Sequence, residues 1–272
     1  MAFTICSTFF LSLPSLKLGI HSMIFCIVCF RGFCRGILAC GFYLYSMEVL
    51  KLTGDNLTLE NIEEVARHFR KVALSDKAVK AVLRSRAIVE KLAATKEHYY
   101  GINTGFGDLC DVKISKKDVK KLQLNLIRSH CVGVGDLLPE EVIRAMMMIR
   151  VNTLIQGNSG VKLESVNLLL DFLNRGVHPC VPSQGSVGAS GDLAPLAHMA
   201  LALIGEGEVY YKGKKRKAAD VLKSLKLKPL ELEEKEGLAL INGTSMMCAF
   251  GTLALLDSEK LIRMADIAGA LS

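Results

Sequence analysis

The sequence predicts a mainly α-helical protein. Three observations carry that expectation: apolar residues recur every three or four positions after Met47, helix-capping residue types stand at the ends of those runs, and half of the 272 residues are apolar. Apolar positions three and four apart share one face of a helix, so each run can bury one side. With no Trp and 6% aromatic residues, the core must be aliphatic, and no stacking platform for a dissolved cofactor is suggested. No solenoid-type internal repeat is present.

Leu59, Ile62, Ala66 and Phe69 form the first stripe, behind Thr58, whose hydroxyl suits an N-cap. Val119, Leu122 and Leu126 line one side of the next helix. Val142, Met146 and Ile149 follow Pro139, a residue tolerated where a helix begins. Arg150-Val151-Asn152-Thr153-Leu154 continue as helix into a turn at Gly157-Asn158-Ser159-Gly160-Val161. Val166, Leu169, Leu170 and Leu173 make another stripe, ended by Arg175-Gly176. Met246, Met247, Cys248 and Phe250 read as the start of a buried helix, and Leu261 to Ser272 as a helix interior without a stop signal.

Charge is uneven along the chain. Of the formal +7, three charges (Lys17, Arg31, Arg35) fall in residues 1–46, which hold no acid and five of the nine cysteines: Cys6, Cys26, Cys29, Cys34 and Cys40. Leu18 to Phe30 is shorter than the ~20 residues a spanning helix needs. A basic n-region for a signal peptide is missing. Cys26-x2-Cys29 is half of a zinc site with no second pair at zinc spacing, and Ile37-Leu38-Ala39-Cys40 faintly resembles a lipoprotein cleavage site. Residues 1–46 therefore read as an apolar, Cys-rich extension preceding the true start at Met47, with a weak membrane tether as the alternative. The other excess lies in Lys212-Gly213-Lys214-Lys215-Arg216-Lys217, between Glu206-Gly207-Glu208 and the acidic run from Glu231 to Glu236. It reads as a solvated surface loop, because no aromatics interleave for stacking on bases; a nucleic-acid patch is the weaker reading.

The richest chemistry lies in Gly185-Ser186-Val187-Gly188-Ala189-Ser190-Gly191-Asp192-Leu193-Ala194-Pro195-Leu196. It has neither the Gly-Lys-Ser/Thr ending of a phosphate loop nor GxGxxG spacing, and Asp192 stands where a serine-hydrolase elbow needs glycine. Ala189-Ser190-Gly191 suits backbone cyclisation instead. Attack of the Gly191 amide nitrogen on the Ala189 carbonyl, with loss of two waters, gives a 4-methylideneimidazol-5-one, whose exocyclic methylene is a strong electrophile. Gly191 lacks a Cβ, so its nitrogen can approach closely; Ser190 becomes the methylene; Ala189 is small.

The wording from Ala189 to His198 resembles the aromatic amino acid ammonia-lyase family, and three further segments match it: Tyr99 to Gly107, Asn125 to Gly135, and Glu236 to Ser245. The resemblance makes Tyr100 the catalytic tyrosine, on a glycine-rich loop able to fold over the site. A free phenol titrates near ~10 and must be activated to act as a base near neutrality. Ser129-His130 falls where the family reads the substrate ring, and this pair is similar to that of histidine-specific members; one imidazole can hydrogen-bond another. Asn242 matches the active-site asparagine beside the electrophile, and an Asn-Gly turn is the plain alternative. Ser245 stands where histidine-specific members commonly carry glutamine, and Asn158 where the family usually has an aromatic residue.

What the resemblance implies is the N-terminal portion of the ammonia-lyase helical fold with an incomplete central helix bundle. It covers residues 47–272, roughly the first half of a family chain. The other half would carry a second tyrosine, an arginine gripping the substrate carboxylate and an acidic partner. The implied reaction is non-oxidative loss of ammonia from L-histidine to give urocanate, in a cytoplasmic homotetramer, with no metal, no dissociable cofactor and no nucleic-acid partner. The alternatives are a phenylalanine or tyrosine ammonia-lyase and a catalytically inactive truncated subunit.

Overall fold

The structure, a computed structural model, describes residues 48–107, 112, 114–187 and 191–272. The readings of residues 1–46, of the start at Met47, and of Ala189 and Ser190 lie outside the described residues.

The fold begins with strand β1 (Leu50–Leu52), which pairs in parallel with β2 (Val72–Leu74) across helix α1 (Leu59–His68). Thr58 caps α1 as expected: its hydroxyl accepts the Asn61 N–H at 3.2 Å while Asn61 Oδ1 accepts the Thr58 N–H at 3.4 Å. Phe69 does not extend the buried stripe. It ends α1 in a left-handed conformation (φ 57°), half exposed. Helices α2 (Asp76–Ala93) and α3 (Lys116–His130) follow, then β3 (Val134–Leu137).

Helix α4 (Glu140–Leu154) is the centre of the core, packed against α1, α5 (Leu163–Arg175) and the long C-terminal helix α9 (Ser245–Leu271). Ten of its fifteen residues are buried, far more than the Val142-Met146-Ile149 face, because neighbours close on it from three sides. Two arginines lie inside it. Arg144 is satisfied by carbonyls: Nε donates to Val65 O and Ala66 O at 3.0 and 3.2 Å, Nη2 to Val65 O at 2.7 Å, and Nη1 to Leu173 O at 3.0 Å. These carbonyls belong to the last turns of α1 and α5, the negative ends of both dipoles. The Phe69 ring centroid lies 4.1 Å from Arg144 Cζ, a cation–π contact.

Gly176 closes α5 at φ 68°, the left-handed cap expected of Arg175-Gly176. β4 (Val177–Pro179) joins β6 (Glu208–Tyr211) and β7 (Lys214–Lys217) in an antiparallel sheet, and β5 (Pro182–Gln184) pairs with β3. The basic segment is thus strand, not loop: Lys212 and Gly213, both at positive φ, make the hairpin turn. All four residues of β7 are exposed.

Helices α6 (Leu193–Leu203), α7 (Ala218–Ser224) and α8 (Glu236–Ile241) complete the nine helices among the described residues. α9 buries Met246, Ala249, Leu253 and Leu256, whereas Met247, Cys248 and Phe250 are exposed, so only Met246 of the four residues read as buried is so. Among the described residues no helix is long and apolar enough to cross a membrane, and no group of three or more His, Cys, Asp or Glu could hold a metal.

Candidate active site

Gly191 joins the β5–α6 loop to the end of α8. It adopts φ +81° and forms an isolated parallel bridge with Gly243, and the next amide, Asp192 N–H, donates to Gly243 O at 2.7 Å. A Cβ on Gly191 would collide with that carbonyl oxygen, so both conformation and space demand glycine. Asp192 is fully buried at the start of α6, and its carboxylate binds both flanks of the triplet to α9. Oδ2 accepts the backbone N–H of Met246 and Met247 at 2.8 and 3.0 Å, in the first turn of α9, and Oδ1 accepts Ser186 Oγ–H at 3.0 Å. An anion at a helix N-terminus satisfies amides that lack intrahelical partners.

Asn242 caps the C-terminus of α8 and is exposed, its N–H donating to Leu238 O at 2.9 Å. Buried groups fix α8 at its other end. Glu236 accepts Ser165 Oγ–H at 2.5 Å and Lys162 N–H at 3.2 Å, and Gly237 N–H donates to Gln123 Oε1 of α3 at 2.8 Å. Beneath the Asn242-Gly243 turn lies Arg150, 2% exposed. Its Nη2 donates to Ala239 O and, at 2.9 Å, to Asn242 O, and a Cβ on Gly243 would collide with Nη1. Burial pushes the Arg150 guanidinium down to about 10.

At the end of α3, His130 Nδ1 lies 2.8 Å from Leu126 O, which can only accept, so Nδ1 carries the hydrogen. Nε2 is thereby left as the acceptor in the neutral ring. Ser129 Oγ–H donates to the same carbonyl at 3.0 Å and its oxygen lies 3.2 Å from Nδ1. Three residues on, Gly133 N–H donates to His198 Nε2 at 3.1 Å, and a Cβ on Gly185 would stand 3.0 Å from Gly133 Cα. Gly133, three residues beyond the end of α3, is therefore packed against the chain that enters the triplet. Burial holds the His198 imidazole below its ordinary value, which keeps Nε2 an acceptor for Gly133.

Tyr100 is 54% exposed, edge-on to Phe106 with ring centroids 6.1 Å apart. Asn103 closes its loop: Oδ1 accepts Tyr99 N–H and Nδ2 donates to Glu97 O, each at 2.8 Å. The loop rests on α8, since a Cβ on Gly101 would stand 2.9 Å from Leu238 Cδ2. Contacts in the structure thus join Gly191 to the Asn242-Gly243 turn and rest the Tyr100 loop on α8, while Ser129 and His130 end α3 three residues before Gly133, which lies beside Gly185. Among the described residues no hydrogen bond joins the Tyr100 hydroxyl to Gly191, Asn242 or the Ser129-His130 pair. Asp192 and Arg150 were not singled out from sequence. The one signal for Arg150 was a charge inside the apolar run Met146 to Val151.

A family profile for aromatic amino acid lyases matches residues 57–272. The chain belongs to the aromatic amino acid lyase family. Histidine ammonia-lyase of Streptococcus pyogenes serotype M49 (strain NZ131) is 49% identical over 224 residues, 82% of this chain and 44% of that protein. Histidine ammonia-lyase of Koribacter versatilis (strain Ellin345) is 52% identical over 226 residues, 83% of this chain and 44% of that protein. The crystal structure of histidine ammonia-lyase from Trypanosoma cruzi superposes with a TM-score of 0.75 at 40% identity, covering 81% of this chain and 42% of that one. Ergothionase from Treponema denticola gives 0.77 at 34% identity, covering 80% and 44%. The chain thus spans less than half the length of the curated relatives it matches, and its architecture is a portion of the lyase fold.

Proposed function

We propose that this chain is the electrophile-forming part of a histidine ammonia-lyase, which eliminates ammonia from L-histidine without oxidation to give urocanate. The observation that carries the reading is Gly191: its left-handed φ, its lack of room for a Cβ and its bridge to Gly243 fit the residue whose nitrogen must close the ring. Relatives named histidine ammonia-lyase at 49% and 52% identity support the substrate. Once formed from Ala189-Ser190-Gly191, the 4-methylideneimidazol-5-one supplies an electrophile that withdraws electron density from the bound substrate.

The chain's own residues have separate tasks. Asp192 and Gly243 hold the Gly191 backbone. His130 presents Nε2 to the donor nitrogen of the substrate imidazole, with Ser129 beside it. Asn242 offers an amide to the amino acid end. Tyr100, on its exposed loop, takes the β-proton. Residues 47–272 form this ammonia-lyase portion, and residues 1–46 lie outside it.

The homotetramer has support in α9, where Met247, Phe250, Ala254, Leu261, Met264, Ala268 and Leu271 fall at alternating spacings of three and four, apart from the step across Asp257. The large members of this stripe are exposed. A cytoplasmic location suits the free thiols Cys131, Cys180 and Cys248.

The test is urocanate formation from L-histidine, compared with elimination from phenylalanine and tyrosine. A preference for histidine is expected. A preference for either other substrate, or no elimination from any once the other half of the lyase fold is supplied, would overturn the reading.

A further inference from the structure

We infer that Arg150 is a positioning residue for the cyclisation of Ala189-Ser190-Gly191, an inference that rests on the reading above. Among the described residues no carboxylate pairs with Arg150, and its Nε has no hydrogen-bond partner. A buried guanidinium without a counter-ion is costly, and an apolar side chain could fill the same space in a helix that already carries Met146, Met147 and Met148. Its place in the fold is explained by what the guanidinium holds.

One face of it binds the turn that follows α8: Nη2 donates to the carbonyls of Ala239 and Asn242, and Nη1 lies against Gly243 where any Cβ would collide. The peptide from Asn242 to Gly243 is thus held by Nη2 at the Asn242 carbonyl and flanked by Nη1 at Gly243. Gly243 in turn carries the bridge to Gly191 and accepts the Asp192 N–H at 2.7 Å. The contacts run from Arg150 through Gly243 to Gly191, the residue whose nitrogen is the nucleophile. Asp192, the next residue, is tied separately to the first turn of α9, so Gly191 is held through two sets of contacts.

The step demands such control. A bond forms from Gly191 N to the Ala189 carbonyl carbon. The carbonyl oxygen then leaves as water with the amide hydrogens of Gly191 and Ser190, and a C=N bond forms to the Ser190 nitrogen. The second water takes the Ser190 hydroxyl and its Cα hydrogen, leaving the methylene. An amide nitrogen is a poor nucleophile, and displacement of a reacting atom by about 1 Å can cost about a hundredfold in rate.

Arg150→Lys keeps the charge but loses the planar fork, and Gly243→Ala keeps Arg150 but pushes the guanidinium away. The whole chain is expressed, its helical signal and thermal unfolding are recorded, and the fraction that has lost two waters is read by intact mass. For wild type the two-water loss is expected. For either variant with wild-type helical signal, the ratio of cyclised to uncyclised chain is expected to fall about tenfold or more. A folded Arg150→Lys or Gly243→Ala chain that cyclises as completely as wild type overturns the inference while leaving the functional reading intact. Loss of fold in both variants overturns it too, since Arg150 would then be a purely structural group. A wild-type chain at full mass overturns the functional reading and this role with it.

Discussion

His130 is oriented by its own helix, because Nδ1 is engaged by the Leu126 carbonyl at 2.8 Å and cannot turn to the substrate without losing that bond. If Nε2 receives the substrate imidazole, His130→Leu removes one hydrogen bond to a buried ligand group, ~1–3 kcal/mol or about ten- to a hundredfold in kcat/KM for histidine. The two-water mass loss should persist, since His130 does not touch the triplet's anchors. Unchanged histidine turnover in the variant would remove His130 from the ring-reading role. Gly191, Asn242 and the Ser129-His130 pair are candidates from sequence because each lies inside a short segment that resembles the family's, a signal carried by neighbouring residues. Asp192 and Arg150 could not be assigned roles that way. The amides that Asp192 accepts are 54 and 55 positions away, and the Asn242 carbonyl held by Arg150 is 92 positions away. Only the folded backbone brings them together.

At the scale of elements, helix positions were legible because capping and periodicity act within a few residues: Thr58 starts α1 and Gly176 ends α5 as the sequence indicates. Which face each helix buries was less legible. α4 is buried nearly all round, so its periodic stripe understated the contact surface. α9 shows the opposite error: Met247 and Phe250 look like core residues but are 58% and 44% exposed, because α4 and α1 cover only the Met246-Leu253 side. The basic hairpin was misread because Lys and Arg carry little strand signal, while pairing with β6 supplies the order. The exposed α9 stripe leads to a prediction about assembly. Sedimentation velocity of the chain should show self-association, and Met264→Glu with Leu271→Glu should reduce it while leaving helical content unchanged, since both side chains are exposed (62% and 84%). A wild-type chain that stays monomeric up to high concentration would show that this stripe does not drive assembly.

Across the whole molecule, stability depends on a buried junction where α1, α4, α5 and β4 meet. Arg144 binds the C-terminal carbonyls of α1 and α5, its Nη1 lies 3.2 Å from His178 Nε2, and His178 Nδ1 faces Glu140 Oε1 at 3.4 Å. An arginine nitrogen can only donate, so His178 Nε2 accepts and the ring is neutral in the native state. Burial, and then the Arg144 charge, push the His178 imidazole down to about 4 from its ordinary 6.5. Glu140 pulls the other way, but its side chain is half exposed and screened, so burial wins. Because the folded value lies below the unfolded one, the unfolded chain binds the extra proton between pH 6.5 and about 4. Stability is therefore fully present above pH 6.5 and falls as pH drops through that window, by about 3 kcal/mol at most from this one group. Denaturant unfolding at a series of pH values should show the fall, and His178→Gln, which cannot gain a proton, should flatten it while lowering stability at neutral pH through the lost packing and altered Arg144 contact. An equal acid slope in wild type and His178→Gln would place the acid sensitivity elsewhere and leave His178 as a packing residue alone.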